Sequence, residues 1–262
     1  MNILSSVAVA AAVFVGMLVF GDLGRRLGQR QLERDPEASR AGSGVIDGAV
    51  FALLGLLVAF TFSGAADRFD ARRGLITEET NAVGTAWLRL DLLPAADQPP
   101  LRDLFRRYLD SRIDVYRSVP DMQAVERALA RGAALQAEIW SRAMAACQRP
   151  EGQRAIVVVL PALNEMFDIA TTRTLVARIH QPLIIFGLLI GLGLICSLLA
   201  GYGTAGGKQR SWTHLVGFAS VIALTVYVIL DLEYPRLGLI RVDALDQVLI
   251  DLRASMDSPQ SR

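Results

Sequence analysis

Three glycines, Gly201, Gly203 and Gly206, match the G-x-G-x-x-G pattern of a dinucleotide cradle, with Lys208 just beyond them. A cradle of that kind needs a strand before it and a helix opening on it. Here the preceding residues are an apolar run, 183–199, so the pattern reads as a turn between helices. A phosphate-binding P-loop would also need Gly where Tyr202 stands and Ser or Thr where Gln209 stands. His180 and His214 are the only histidines, and neither has a Cys or His at ligand spacing. No metal and no cofactor is therefore expected. Ser63 and Ser197 lack a base and an orienting group in any recognisable pattern, so the chain is not expected to be an enzyme.

Charges beside apolar sequence are more informative. Asp47, Asp231 and Glu233 lie in or at the edge of apolar runs, where an acid is costly unless paired or wet. Arg68, Arg72 or Arg178 could supply the pair, and the sequence does not choose among them. A second set follows the apolar run 45–62: Asp67, Arg68, Asp70, Arg72, Arg73, Glu78, Glu79 and Asn81. Asp70 and Arg73 are three apart, and Arg68 and Arg72 share a helical face. These groups either pair with neighbouring helices or form a solvated face. Upstream, Ala52, Leu56 and Phe60 are spaced by four and lie on one face, with Gly48 and Gly55 as small patches for helix approach. The stripe is either ordinary packing or lipid-facing surface or, with several copies around an axis, a hydrophobic constriction that gates by dewetting.

Four apolar blocks must position these residues: 3–20, 45–62, 183–199 and 215–232. Each approaches the ~20 residues that cross ~30 Å of hydrocarbon. The chain of 262 residues is 52% hydrophobic, and its mean hydropathy of +0.37 is too high for most water-soluble proteins. The first block has no Lys or Arg ahead of it and ends in FGDLGRR, so it reads as a retained helix rather than a cleaved signal. Cys147 and Cys196 lie in different kinds of sequence and imply no disulfide. The arginines of 21–44 (Arg25, Arg26, Arg30, Arg34 and Arg40) read as contacts to anionic lipid headgroups, and nucleic acid is not expected as a partner. Charge bias does not orient the chain. Seven basic residues flank the spans on one side (those five with Lys208 and Arg210) and seven on the other (Arg68, Arg72, Arg73, Arg173, Arg178, Arg236 and Arg241).

Between the two apolar hairpins the sequence reads as helix throughout. The second span continues without a breaker to about Leu92, where Pro94 and Gln98–Pro100 turn the chain. Leu101, Leu104, Phe105, Tyr108, Leu109 and Tyr116 form an apolar stripe, with Arg102, Arg106 and Arg107 on the other side. Asp121 opens a further helix striped by Val125, Leu129, Ile139 and Trp140, and a last one runs from about Gln153 towards Pro182. The expected fold is an all-α membrane protein with four transmembrane helices and a long helical region between the second and third. Its parts are a first hairpin, 1–66; a helical region continuous with the membrane helices, 67–182; a second hairpin, 183–232; and a tail, 233–262.

Across nearly its whole length, and most densely at LLGLLVAFTFSGAADRFDARRGLITEETNAVGTAW, the chain resembles the bacterial bestrophin-like family, which is remotely similar to the bestrophin ion channels. The resemblance matches Phe60, the Arg68-Phe69 pair, Arg72 and Asn81 to the bestrophins' second membrane helix and its extension. Glu233, Pro235 and Gly238 are similar to the acid and Pro-Phe-Gly that follow the last span, although Tyr234, Arg236 and Leu237 depart from that pattern. What the resemblance implies is a homopentameric channel for small inorganic ions, one bestrophin-like domain per subunit. Its narrow neck would be lined by Ala52, Leu56 and Phe60, Ala52 being smaller than the family's residue. It also implies a multi-pass protein of the bacterial inner membrane with both termini and the long helical region in the cytoplasm. An acidic calcium clasp is not recognisable, so calcium control is not implied. The competing expectation is a non-conducting membrane scaffold or sensor, docking a cytosolic partner through the arginine side of 101–116.

Overall fold

The computed structural model describes residues 3–34, 43–207 and 212–257. Arg40, Lys208, Arg210 and the chain end 258–262 lie outside the described residues. Among those described there are eight α-helices and no strand: α1 Ile3–Arg34, α2 Ser43–Arg89, α3 Gln98–Arg117, α4 Met122–Cys147, α5 Ile156–Arg178, α6 Leu183–Gly203, α7 Trp212–Glu233 and α8 Asp243–Ser255. Four stretches are long and apolar enough to cross a membrane: Ile3–Arg34, Gly44–Leu92, Gln153–Gly203 and Trp212–Glu233. The 47 residues of α2 form one helix, because nothing before Pro94 removes a backbone donor. A short 3₁₀ turn, Leu90–Leu92, closes it.

The helices sort into two compact units, Met1–Phe69 with His180–Ile240, and Asp70–Ile179 with Arg241–Arg262. In unit 1, α1 packs on α6 and α7. Beside a cluster of buried side chains that includes Met17, Leu189 and Val226, glycines bring the backbones close. A Cβ on Gly24 would run into the Leu198 carbonyl oxygen, and one on Gly201 would run into that of Gly21. On Gly28 it would lie 2.6 Å from the Ala205 Cβ. Lipid tails are as apolar as the side chains they touch, so membrane helices associate by close packing of small residues rather than by the hydrophobic effect. Ser197 adds a hydroxyl that donates to the Met17 carbonyl at 2.6 Å. Gly201, expected in a turn, is thus a packing residue inside α6. Gly48 and Gly55, expected at close approaches, have nothing within 4 Å of where a Cβ would stand.

Unit 2 has an apolar core. The six stripe residues of α3 are all buried and meet Ile139 of α4 and Leu163 and Met166 of α5. Asp121 caps α4, its Oδ1 accepting from the Gln123 and Ala124 amides at 3.0 and 3.1 Å. The stretch after Glu233, expected as a tail, contains α8, which packs on α3 and buries Leu249. Just beyond α8, Met256 is also buried. Its neighbourhood is held by Arg253 to Asp110 at 2.8 Å and Arg106 to the Met256 carbonyl at 2.7 Å. The arginine side of α3 is largely used within the unit. Arg102 pairs with Asp91 and lies 4.4 Å over the Trp87 ring, and Arg106 pairs with Asp257 at 3.0 Å. Arg107 is the exposed member of the three.

Candidate functional site on α2

A helix turns about 100° per residue, so burial along α2 can be read as an angle. In unit 1 the buried side holds Leu54, Thr61 and Ala65, and the uncovered side holds Ala52, Leu56, Phe60, Ser63 and Asp67. Leu56 is 52% exposed and Phe60 68%. In unit 2 the buried side holds Arg72, Ile76, Glu79 and Val83, and the uncovered side holds Asp70, Gly74, Glu78 and Asn81. Within unit 1 the uncovered residues change character once, from apolar through Phe60 to hydroxyl and acid at Ser63 and Asp67. Arg73 is exposed and 3.4 Å from Asp70.

The membrane-edge acids are treated differently from one another. Arg68 turns inward and donates its Nε to Glu233 Oε1 at 2.7 Å, with a second donation from the same guanidinium. It also donates to Gln181 Oε1 at 2.7 Å. Glu233 is 1% exposed, and His180 Nδ1 stands 3.8 Å from its other oxygen. A buried carboxylate is tolerable with that many donors around it. Asp231 takes backbone donors instead: the Leu239 amide at 3.0 Å and the Ile240 amide at 2.7 Å. The loop can fold back onto Asp231 only because residue 238 is glycine, since a Cβ there would collide with the carboxylate. Asp47 is half-buried near the start of α2 and is not brought to the other two.

In unit 2 the inward partner of the uncovered face is Glu79. It accepts from Arg112 Nε at 2.5 Å and Arg173 at 2.6 Å, and Arg173 reaches on to Asp246 at 2.8 Å. Tyr116 completes the cluster, 2.6 Å from Arg112 and 3.6 Å beneath the Arg173 guanidinium. Burial pushes the Glu79 carboxyl up, but the two guanidiniums outweigh it and hold the group below its ordinary range. Arg72 points the same way and donates to the Ile179 carbonyl at 2.8 Å. Arg112 and Asp246 did not stand out in the sequence, and Arg173 and Tyr116 did so only as a flanking cation and a stripe residue. The signal available was the phase of Glu79 between Ile76 and Val83, which marks a charge on the buried side and so demands partners. Among the described residues no group of three or more His, Cys, Asp or Glu could hold a metal.

This geometry coincides with a sequence match to the Bestrophin-like domain over residues 7–245. The chain belongs to the bestrophin-like family. Crystal structures of a bacterial bestrophin homologue from Klebsiella pneumoniae share its fold. One single-residue variant superposes with a TM-score of 0.70 at 12% identity, covering 94% of this chain and 98% of that one. A structure of the homologue solved by zinc phasing gives 0.66 at 13%, covering 92% and 98%. Comparison with curated proteins gives no match. With four helices able to cross a bilayer, this bestrophin-like chain is a membrane protein.

Proposed function

We propose that this bestrophin-like protein is a homo-oligomeric channel for small inorganic ions, a pentamer, with the uncovered face of α2 as its path and Ala52, Leu56 and Phe60 as its neck. The observation that carries this reading is that face: large apolar side chains left uncovered, followed at the same phase by Ser63 and Asp67. An apolar ring passes ions only when wet, and polar groups at its end lower the cost of entry. The role is conduction and not catalysis. Asp67 is the charge that this face carries in unit 1, so cations are favoured over anions. Purified protein in liposomes is expected to pass sodium and potassium, with five-fold symmetric particles. Asp67→Asn should move the reversal potential under a salt gradient toward that of chloride. Silence across sodium, potassium and chloride gradients would end the channel reading.

Both termini and the region 67–182 are assigned to the cytoplasmic side of the bacterial inner membrane, as the family resemblance implies. Cys147 and Cys196 are both buried, so they give a low background for a thiol probe. An impermeant reagent should leave Arg107→Cys, on the exposed part of α3, unlabelled in intact cells and label it after lysis. Labelling in intact cells would invert the orientation. The scaffold reading loses support, because Arg102 and Arg106 of its docking face already have partners in unit 2.

A further inference from the structure

A cavity of about 300 Å³ opens in unit 1 among α1, α6 and α7, away from the uncovered face of α2. Its most buried lining is Gly21 and Gly201, two of the glycines at which α1 and α6 pack closely. Leu215 and Phe218 line it half-buried, Arg25 is half-buried as well, and His214 is exposed at the opening. The space therefore grades from apolar to cationic over one cavity, near the ends of two membrane helices.

Three observations favour an anion at the opening. Arg25 commits one donor, to the Gly207 carbonyl at 3.1 Å, which leaves most of the guanidinium fork for a ligand. The first turn of α7, which includes His214, carries no acid, and a helix start favours negative charge. The carbonyls at the end of α6 that would oppose an anion are already occupied. Thr204 covers the Ala200 and Gly201 oxygens, each at 3.0 Å, and the Ala205 amide covers that of Tyr202 at 3.1 Å. A free phosphate would gain nothing from Leu215 and Phe218, whereas an amphipathic anion uses both ends. The volume is at the small end of the ~300–1,000 Å³ range of ligand sites, which suits a headgroup and the start of its chains.

We propose that this cavity binds an anionic phospholipid, its phosphate against Arg25 and the first turn of α7 and its glycerol end over Leu215 and Phe218. Basic pockets between membrane helices are suited to such headgroups. The site stands whether or not the protein conducts. It also gives one arginine of the basic run a specific task, while Arg26, one residue on, pairs with Asp22 at 2.8 Å and does not line the cavity.

The test is native mass spectrometry of the full chain in neutral detergent, titrated with phosphatidylglycerol or phosphatidylcholine of identical chains. Phosphatidylglycerol should be retained more tightly. Arg25→Gln, which can still donate to Gly207, should weaken it about fivefold, the contribution of one interfacial cation. Arg26→Gln should leave it unchanged. His214→Gln, at the exposed opening, should weaken it less than Arg25→Gln and serves as the reading if that variant does not fold. Equal retention of the two lipids, or equal losses from Arg25→Gln and Arg26→Gln, would overturn the proposal. So would no loss from His214→Gln, or competition by millimolar inorganic phosphate, which would make the cavity a site for the free anion.

Discussion

Unit 1 brings helix backbones together at glycines beside its apolar cluster, whereas unit 2 packs large side chains around a buried carboxylate. Where α1 meets α6, Gly24 and Gly28 on one helix and Gly201 on the other bring backbone against backbone. In unit 2 the equivalent work is done by Phe105, Tyr108, Ile139 and Met166, all at or near zero exposure, around the buried Glu79 cluster. On the proposed topology, with unit 1 in lipid and unit 2 in water, the difference follows from the solvent around each. In lipid, burying a leucine gains little and close backbone contact gains more. In water, apolar area is worth ~25 cal/mol per Å² removed, and a buried ion pair persists only when fully partnered.

The comparison breaks most visibly at Glu79. Glu79→Gln leaves Arg112 and Arg173, each with 5% of its side chain exposed, without their shared anion. A loss of about 3–5 kcal/mol is expected, measured as thermal or denaturant unfolding followed at Trp87. Glu78→Gln, one residue away on the uncovered side, should stay within ~0.5 kcal/mol. The wild type should also show the acid dependence of a depressed carboxyl. Stability from Glu79 is complete above its unfolded value of 4.5 and is lost as pH falls through the lower folded one, and Glu79→Gln should remove that slope. Equal effects of the two substitutions would mean that the cluster does not hold unit 2.

A smaller effect sharpens the other half. Gly201→Ala forces α1 and α6 apart and should cost about 1–3 kcal/mol, read as a lower unfolding midpoint in detergent. Gly55→Ala, in open space on α2, should be neutral or stabilise by up to ~1 kcal/mol through the unfolded chain. If both were equally damaging, close backbone packing would not be what distinguishes unit 1.

These contrasts also explain what could be read in advance. Helix boundaries came from local chemistry: Pro94 ends α2, Asp121 caps α4 and Pro182 precedes α6. The stripe of Ala52, Leu56 and Phe60 was visible because a spacing of four lies within one element. The Arg68–Glu233 pair was half visible: each charge was conspicuous beside apolar sequence, but the match joins residues 165 apart. Gly201 was misread as part of a turn because its role depends on a backbone from a different helix. The Glu79 cluster was hidden for a similar reason, since it draws on α2, α3, α5 and α8, and no local pattern ties Asp246 to residue 173. Orientation could not be read from charge at all, seven basic residues standing against seven.

The central claim is that the uncovered face of α2 is an ion path with an apolar neck. It is tested most directly by ion flux through liposomes containing Leu56→Ala/Phe60→Ala, with Phe62→Ala as the control. Phe62 is also exposed, at 43%, but lies about 160° around the helix from Phe60. Removing the two neck side chains should raise sodium and potassium flux severalfold above wild type, and Phe62→Ala should leave it at the wild-type level. Flux unchanged in the double variant, or raised equally by Phe62→Ala, would contradict the account.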